Sequence, residues 1–154
     1  MIKLKADDGF VLGGYEVKPD GKPKGGVVIL QEIFGVNDHI KRVAESYAED
    51  GYHVMAPAIF DRAEPDSDLG YDKPDMDKGV GLRNKIPTEA TILDVRAAVE
   101  ALQPSGSDSH KRGMLGLKQR GDLLVDHPRT FIQRRLSDRR LEYAQPGDGL
   151  RLQA

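Results

Sequence analysis

A carboxylate that follows an apolar segment is the side chain in this sequence best placed to do chemistry. Residues 27–30 read Val-Val-Ile-Leu and are bounded by glycine on the amino side, which is typical of a strand buried on both faces of a parallel sheet. Glu32 comes at the carboxyl end of that strand, where open α/β sheets bind their ligands. A charged group there needs either an oppositely charged partner or a chemical purpose. Glu32 is therefore a candidate functional residue, with a salt-bridged strand end as the alternative.

The other residues of the sequence do not form a pattern typical of a metal or cofactor site. The sequence has no cysteine, which excludes disulfides, thiolate metal sites and a thiol nucleophile. The acidic stretch 66–72 is similar to a calcium-binding loop but lacks the glutamate at the spacing that such loops require. His39 lies near a helix start and His53 at a strand entry, so we interpret both as structural. We expect no metal and no organic cofactor.

Strands and helices alternate around Glu32 in a pattern that predicts an α/β fold. Two short segments on either side of Asp7-Asp8-Gly9 predict an N-terminal β-hairpin. After Asn37 and Asp38, either of which can cap a helix, apolar residues repeat at helical spacing until Gly51. The strand–helix–strand unit over 26–56 should be parallel and right-handed. The remaining predictions are a polar surface excursion over 61–85 with at most a short helix, an amphipathic helix from Thr88, and a strand over 112–117.

The wording of residues 31–37, Gln-Glu-Ile-Phe-Gly-Val-Asn, resembles the dienelactone hydrolases, a branch of the α/β-hydrolases. The resemblance covers about residues 1–117 and implies the front half of an α/β-hydrolase fold, a mostly parallel sheet with flanking helices behind an N-terminal hairpin. The implied reaction is hydrolysis of a small carboxylic ester or lactone.

The resemblance also implies roles for particular residues. Glu32 corresponds to the family's glutamate beside the nucleophile, and the backbone N–H of Ile33 corresponds to an oxyanion donor. Tyr71 and Arg83 fall in the region where this family often places contacts to a substrate carboxylate, although neither matches a firm motif position. The small-molecule partner expected from the resemblance is an ester or a lactone.

The nucleophile elbow of the family is missing from the sequence. Aligning residues 111–117 with the elbow strand puts Lys118 at the nucleophile position and Arg120 where a glycine belongs. A lysine is a poor hydrolytic nucleophile and an arginine would crowd the turn. The chain also ends before the later strands that carry the family's acid and histidine. We therefore expect this chain to be catalytically incompetent.

The residues from 118 to 154 form an irregular, Arg-rich tail of no recognisable family. Lys and Arg number 13 against 19 Asp and Glu over 1–103, a balance of −6, and 10 against 6 over 104–154, a balance of +4. A change of reading frame near Lys118 would explain the lost motif and the changed composition together. Genuine divergence of the C-terminal segment is the competing explanation.

The expected partners follow from charge and topology. A net charge of −2 indicates no polyanionic partner, so we expect no nucleic acid to bind. Since no segment reads as a signal peptide or a membrane span, we expect a cytoplasmic protein without membrane contact. An alternative to the hydrolase interpretation is a non-catalytic fragment that self-associates, because a parallel sheet cut short exposes its last strand as a pairing edge.

Overall fold

The computed structural model describes residues 1–102 and the backbone of residues 112–116. Within this part the chain forms five strands, three α-helices and one short 3-10 helix. The strands are β1 (Ile2–Lys5), β2 (Val11–Val17), β3 (Gly26–Leu30), β4 (His53–Pro57) and β5 (Arg112–Gly116). The helices are α1 (Asp38–Glu49), α2 (Lys73–Lys85) and α3 (Thr88–Ala101), and the 3-10 helix is Ile59–Arg62. Lys118, Arg120 and the predicted tail 118–154 lie outside the described residues.

The strands form one sheet in the order β1-β2-β4-β3-β5. Strand β3 pairs in parallel with both β4 and β5, as the strand–helix–strand pattern predicts. The hairpin β1–β2 joins this parallel part through an antiparallel pairing of β2 with β4, so the described sheet is mixed. The predicted α/β class and the N-terminal hairpin are confirmed.

Local sequence signals explain where α1 and the hairpin begin and end. Gly9 occupies the hairpin turn with a φ of +86°, a left-handed conformation that glycine adopts at low cost. The Asn37 side chain caps α1 by accepting a hydrogen bond from the backbone N–H of Ile40 at 3.2 Å. Gly51, at a φ of +95°, directs the chain out of that helix towards β4.

Helices cover both faces of the sheet, and β3 alternates between them. Val27 and Ile29 pack in the apolar cluster that contains α1, whereas Val28 packs in the cluster that contains α3. All three side chains are essentially inaccessible to solvent, which confirms the prediction of a strand buried on both faces. A third apolar cluster joins the loop after β3 to α2, α3 and the 3-10 helix, and consists of Phe34, Ile59, Phe60, Leu69, Leu82, Ile86 and Val95.

The prediction of at most a short helix in the excursion 61–85 is wrong. Helix α2 is 13 residues long and begins at a good cap, since the Asp72 carboxylate accepts the N–H of Asp75 at 2.9 Å and a proline lies in the first turn. Its apolar stripe is narrow: only Gly79 and Leu82 are buried along it. Two glycines and a weak apolar period give this segment little helical signal in the sequence. The helix therefore depends on tertiary packing for its formation.

Candidate functional site

The loop that follows β3, residues 31–37, contains the candidate carboxylate. Glu32 is partly buried and, among the residues that the structure describes, its carboxylate has no hydrogen-bond or salt-bridge partner. The salt-bridged strand end considered from the sequence is therefore absent from this part of the chain. Ile33 follows directly in sequence, so its backbone N–H belongs to the same loop. Both groups lie at the carboxyl edge of the parallel strands.

The segment 67–69 holds this loop in place from outside. Gly35 has a φ of +80° and forms an antiparallel bridge with Asp68. A Cβ on Gly35 would collide with the backbone carbonyl of Ser67, so the close approach itself requires glycine. The N–H of Leu69 donates to the carbonyl of Phe34 at 3.0 Å. The position of Glu32 thus depends on a segment more than 30 residues away in sequence.

Tyr71 lies directly against the candidate loop. Its ring packs on the buried ring of Phe34, with centroids 4.5 Å apart and planes tilted by 53°. Its hydroxyl oxygen is 3.3 Å from the side-chain nitrogen of Asn37. The side chain is nevertheless 57% exposed. Tyr71 therefore combines a ring packed on the candidate loop with an exposed side chain at the same sheet edge as Glu32.

Arg83 is near the loop through α2. Gly79 packs so closely against the backbone carbonyl of Ile33 that a Cβ there would collide with it. Arg83 follows one turn later, on the same side of the helix, and its side chain is exposed. Within the described chain its guanidinium contacts no carboxylate, including that of Glu32. The structure brings Tyr71 against the loop and leaves Arg83 at its periphery.

An ion cluster at the same edge was not anticipated from the sequence. The Arg62 guanidinium donates to both carboxylate oxygens of Asp94 at 2.8 Å and to those of Asp8 at 2.8 and 3.2 Å. It also lies 4.5 Å above the ring of Phe10. An aspartate on the apolar face of the amphipathic helix α3 was the signal that could have revealed it. This cluster joins the hairpin, the 3-10 helix and α3.

The pKa values in the cluster follow from burial and pairing. Asp94 has no solvent-exposed surface, and burial raises its pKa although Arg62 opposes the shift. The hydrogen bond from Arg62 lowers the pKa of Asp8. Asp94 and Asp8 together raise the pKa of Arg62. Four of the five guanidinium N–H donors are bonded to these two carboxylates, so we interpret the cluster as structural.

Gln31, the residue before Glu32, is a second feature that the sequence did not reveal. Both polar atoms of its amide are buried and have no hydrogen-bond partner within the described part of the chain. His53, which the sequence predicts to be structural, has its Nε2 2.8 Å from a carboxylate oxygen of Glu16. Among the described residues no three His, Asp or Glu side chains are grouped as a metal site, and no helix there is long and apolar enough to cross a membrane.

Strand β5 extends the same edge on the other side of β3. Its register pairs Gly26 with Arg112 at one end and Leu30 with Gly116 at the other. In the described sheet β5 is an outer strand, with β3 as its one partner. The residue predicted at the nucleophile position, Lys118, comes two positions after the last described pair.

Comparison with known proteins places this loop in a family context. A sequence model of the dienelactone hydrolase family matches residues 12–129. A Methylorubrum extorquens protein named as a candidate carboxymethylenebutenolidase is 32% identical over 117 residues, covering 75% of this chain and 39% of that protein. The carboxymethylenebutenolidase of Pseudomonas putida is 27% identical over 116 residues, covering 75% and 49% of the two chains.

A solved structure agrees with the sequence comparisons. A Klebsiella pneumoniae protein named as a candidate dienelactone hydrolase superposes with a TM-score of 0.60 at 26% identity, over 74% of this chain and 48% of that one. The predicted partial α/β-hydrolase fold is thereby confirmed. The chain spans less than half the length of each of these three relatives.

Proposed function

Because the chain belongs to the dienelactone hydrolase family, we propose that its carboxyl sheet edge is the binding half of a site for small carboxylic esters or lactones. In this proposal Glu32 lies beside the nucleophile position and the Ile33 N–H is one donor of the oxyanion hole. Acyl transfer develops negative charge on the carbonyl oxygen, and a fixed N–H at that point stabilises it.

The observation that carries the proposal is the unpaired, partly buried carboxylate of Glu32 in a loop fixed from several sides. Partial burial weakens the hydration of this carboxylate without providing a partner, and an unpaired polar group of this kind in a folded protein often has a functional role. The β3–β5 register supports the same proposal. Continued by two residues, it would bring position 118 opposite Glu32, as expected for a nucleophile and its activating carboxylate.

The substrate class follows from the relatives and the exposed side chains. Carboxymethylenebutenolide, named in the Pseudomonas putida relative, is an unsaturated lactone with a carboxylate arm. We propose that the Arg83 guanidinium pairs with such an arm and that the Tyr71 hydroxyl donates to a ligand oxygen. Both side chains are exposed near the loop.

We propose further that this chain binds such lactones without turning them over. A lysine at the nucleophile position, as the family alignment gives Lys118, is a poor hydrolytic substitute for a serine or a cysteine, because an acyl group transferred to its amine would form a stable amide. The tail 118–154 also supplies no recognised acid and histidine pair.

Reading the coding DNA in its other two frames after codon 117 tests the origin of this tail. Failure of both frames to contain Gly-x-Cys-x-Gly or Gly-x-Ser-x-Gly would contradict a frame change.

Binding and turnover of carboxymethylenebutenolide by the full chain test the proposal. We expect saturable shifts of Glu32, Ile33 and Tyr71 amides in NMR titrations, with hydrolysis no faster than in buffer. Arg83→Gln should weaken binding by about three- to tenfold, as expected for the loss of one exposed charge contact. Arg42→Gln, which removes an exposed arginine from α1, is the matched control. Hydrolysis well above the buffer rate that Glu32→Ala abolishes would overturn the predicted inactivity.

Self-association through β5 is the second candidate function. The supporting observation is the outer position of β5 in the described sheet, next to β3 alone, since an unpaired strand edge can pair with another chain. Size-exclusion chromatography and hydrogen exchange test this candidate. A concentration-dependent dimer with slow exchange over 112–116 would support it, whereas a monomer with the same protection would contradict it.

A further inference from the structure

The side-chain amide of Asn37 donates a hydrogen bond to the hydroxyl oxygen of Tyr71. Asn37 is only 5% exposed and uses both ends of its amide. Its oxygen accepts the N–H of Ile40 at the start of α1, at 3.2 Å. Its nitrogen lies 3.3 Å from the Tyr71 hydroxyl oxygen. Because the N-cap fixes which end of the amide is the oxygen, the nitrogen can only donate to Tyr71.

The consequence concerns the proton of Tyr71. A phenol oxygen can accept one hydrogen bond while its own O–H donates another. With the acceptor role taken by Asn37, the O–H proton is free to point away from the protein. The ring packs with its centroid 4.5 Å from that of Phe34, a contact that favours this position of the side chain. Tyr71 is 57% exposed, so its side chain is accessible to a ligand at the sheet edge.

We propose that Asn37 is a positioning residue that keeps the Tyr71 hydroxyl as a hydrogen-bond donor to an acceptor oxygen of the bound lactone. This inference rests on the proposed function, because it states which partner donates the hydrogen bond between Tyr71 and a ligand at that same site. The site then prefers ligands that present a carbonyl or carboxylate oxygen to Tyr71 over ligands that present a hydroxyl donor.

Two substitutions at position 37 separate positioning from simple structural support. Asn37→Asp keeps an oxygen for the N-cap but replaces the amide nitrogen with a second acceptor. The Tyr71 O–H must then turn towards the new carboxylate, and the ligand loses its donor. Asn37→Ser also keeps an N-capping oxygen, but its side chain is shorter and leaves the Tyr71 proton free. Asp caps helices as well as Asn does, so stability alone predicts no loss for Asn37→Asp.

The experiment uses the full chain and 3-oxocyclopentaneacetate, a ketone that has a ring carbonyl and a carboxylate arm but no ester bond to cleave. We expect Asn37→Asp and Tyr71→Phe to weaken binding by at least about threefold, and Asn37→Ser to weaken it less than Asn37→Asp does. Thermal unfolding of Asn37→Asp should occur no lower than that of Asn37→Ser. Tyr15→Phe, which removes a hydroxyl bonded to Glu45 on α1, should bind like the wild type.

A spectroscopic readout tests the hydrogen bond without a ligand. Tyr71→Phe should shift the Asn37 side-chain amide resonances in the ligand-free protein, and unchanged resonances would overturn the inference. Equal binding by the wild type and Asn37→Asp would overturn it as well. Absence of binding by the wild type, with the amide shift present, would instead refute the proposed function and with it the role of Tyr71 towards a ligand.

Discussion

The charged side chains at the sheet edge differ in whether they have an oppositely charged partner. Glu32 has no partner in the described part of the chain, whereas Arg62 makes four hydrogen bonds to two aspartates. Removing one member of a buried pair leaves the other uncompensated, which costs more than the pair contributes. The sequence distinguishes none of this, because Glu32 and Asp94 are each one acidic residue among apolar neighbours. Only the fold determines which carboxylate meets an arginine.

The pH dependence of stability should show the pairing of Asp8 with Arg62. The pKa of Asp8 is lowered from its ordinary 3.8 by the hydrogen bond from Arg62, with help from the Phe10 N–H at 3.1 Å. A carboxyl with a lower pKa in the folded state stabilises the fold above pH 3.8 and loses that contribution as the pH falls through its folded value. We therefore expect Asp8→Asn to be less stable than the wild type at pH 6, with a difference that narrows below pH 3.8.

Urea unfolding at a series of pH values between 6 and 3 measures this difference. Asp7→Asn is the control, since it removes a carboxylate from the same turn without touching Arg62. A difference between Asp8→Asn and the wild type that stays constant down to pH 3 would contradict the assigned pairing.

At the scale of elements, the excursion between β4 and α3 decides how the candidate loop is held. Segment 67–69 bridges Gly35, and α2 packs on the carbonyl of Ile33 through Gly79. The strands and α1 follow from apolar periodicity and caps, so they could be predicted from the sequence. Helix α2 could not, because a narrow apolar stripe containing two glycines has little intrinsic helical preference. Its position depends on contacts with residues far away in sequence.

Two glycines in α2 should respond in opposite directions to the same substitution. Gly79→Ala should destabilise the protein by about 1–3 kcal/mol, because its Cβ meets the Ile33 carbonyl and overpacking forces the backbone to move. Gly81→Ala has open space at its Cβ and should stabilise the protein by about 0.5–1 kcal/mol through helix propensity. Chemical denaturation of both variants tests the packing. Stabilisation by Gly79→Ala would show that Gly79 of α2 does not pack closely against the Ile33 carbonyl.

At the scale of the whole molecule, β5 connects the described fold to the residue that the family resemblance assigns to chemistry. The register pairs Leu30 with Gly116, and whether it continues to position 118 stays a prediction. The proposed division into a family unit over 1–117 and a tail over 118–154 also stays a prediction. The family model matches residues 12–129, and this chain spans less than half of its relatives. Whether the site contains a residue opposite Glu32 therefore depends on how β5 and the residues after it are placed against β3.

A disulfide can test the continued register, because the chain has no other cysteine. In the double variant Glu32→Cys with Lys118→Cys, neighbouring parallel strands would put the two Cα atoms about 5 Å apart, within the range for a disulfide. We expect oxidation to give an intramolecular disulfide detectable by mass spectrometry. Glu32→Cys with Arg129→Cys is the comparison pair. Equal yields from both pairs would indicate random encounter and contradict the register.

The sequence by itself determined the local chemistry and the periodic elements of this protein. Residues 31–37 identify the family, apolar periods define β3, β4, α1 and α3, and Asn37 and Gly51 mark the ends of a helix. These signals are local, so neighbouring residues are sufficient to express them. Tertiary structure alone decided that α2 forms, that Arg62 joins two aspartates, and that Tyr71 contacts Asn37 in the loop that contains Glu32. Those contacts join residues more than 30 positions apart, and no local period encodes which distant side chain completes them.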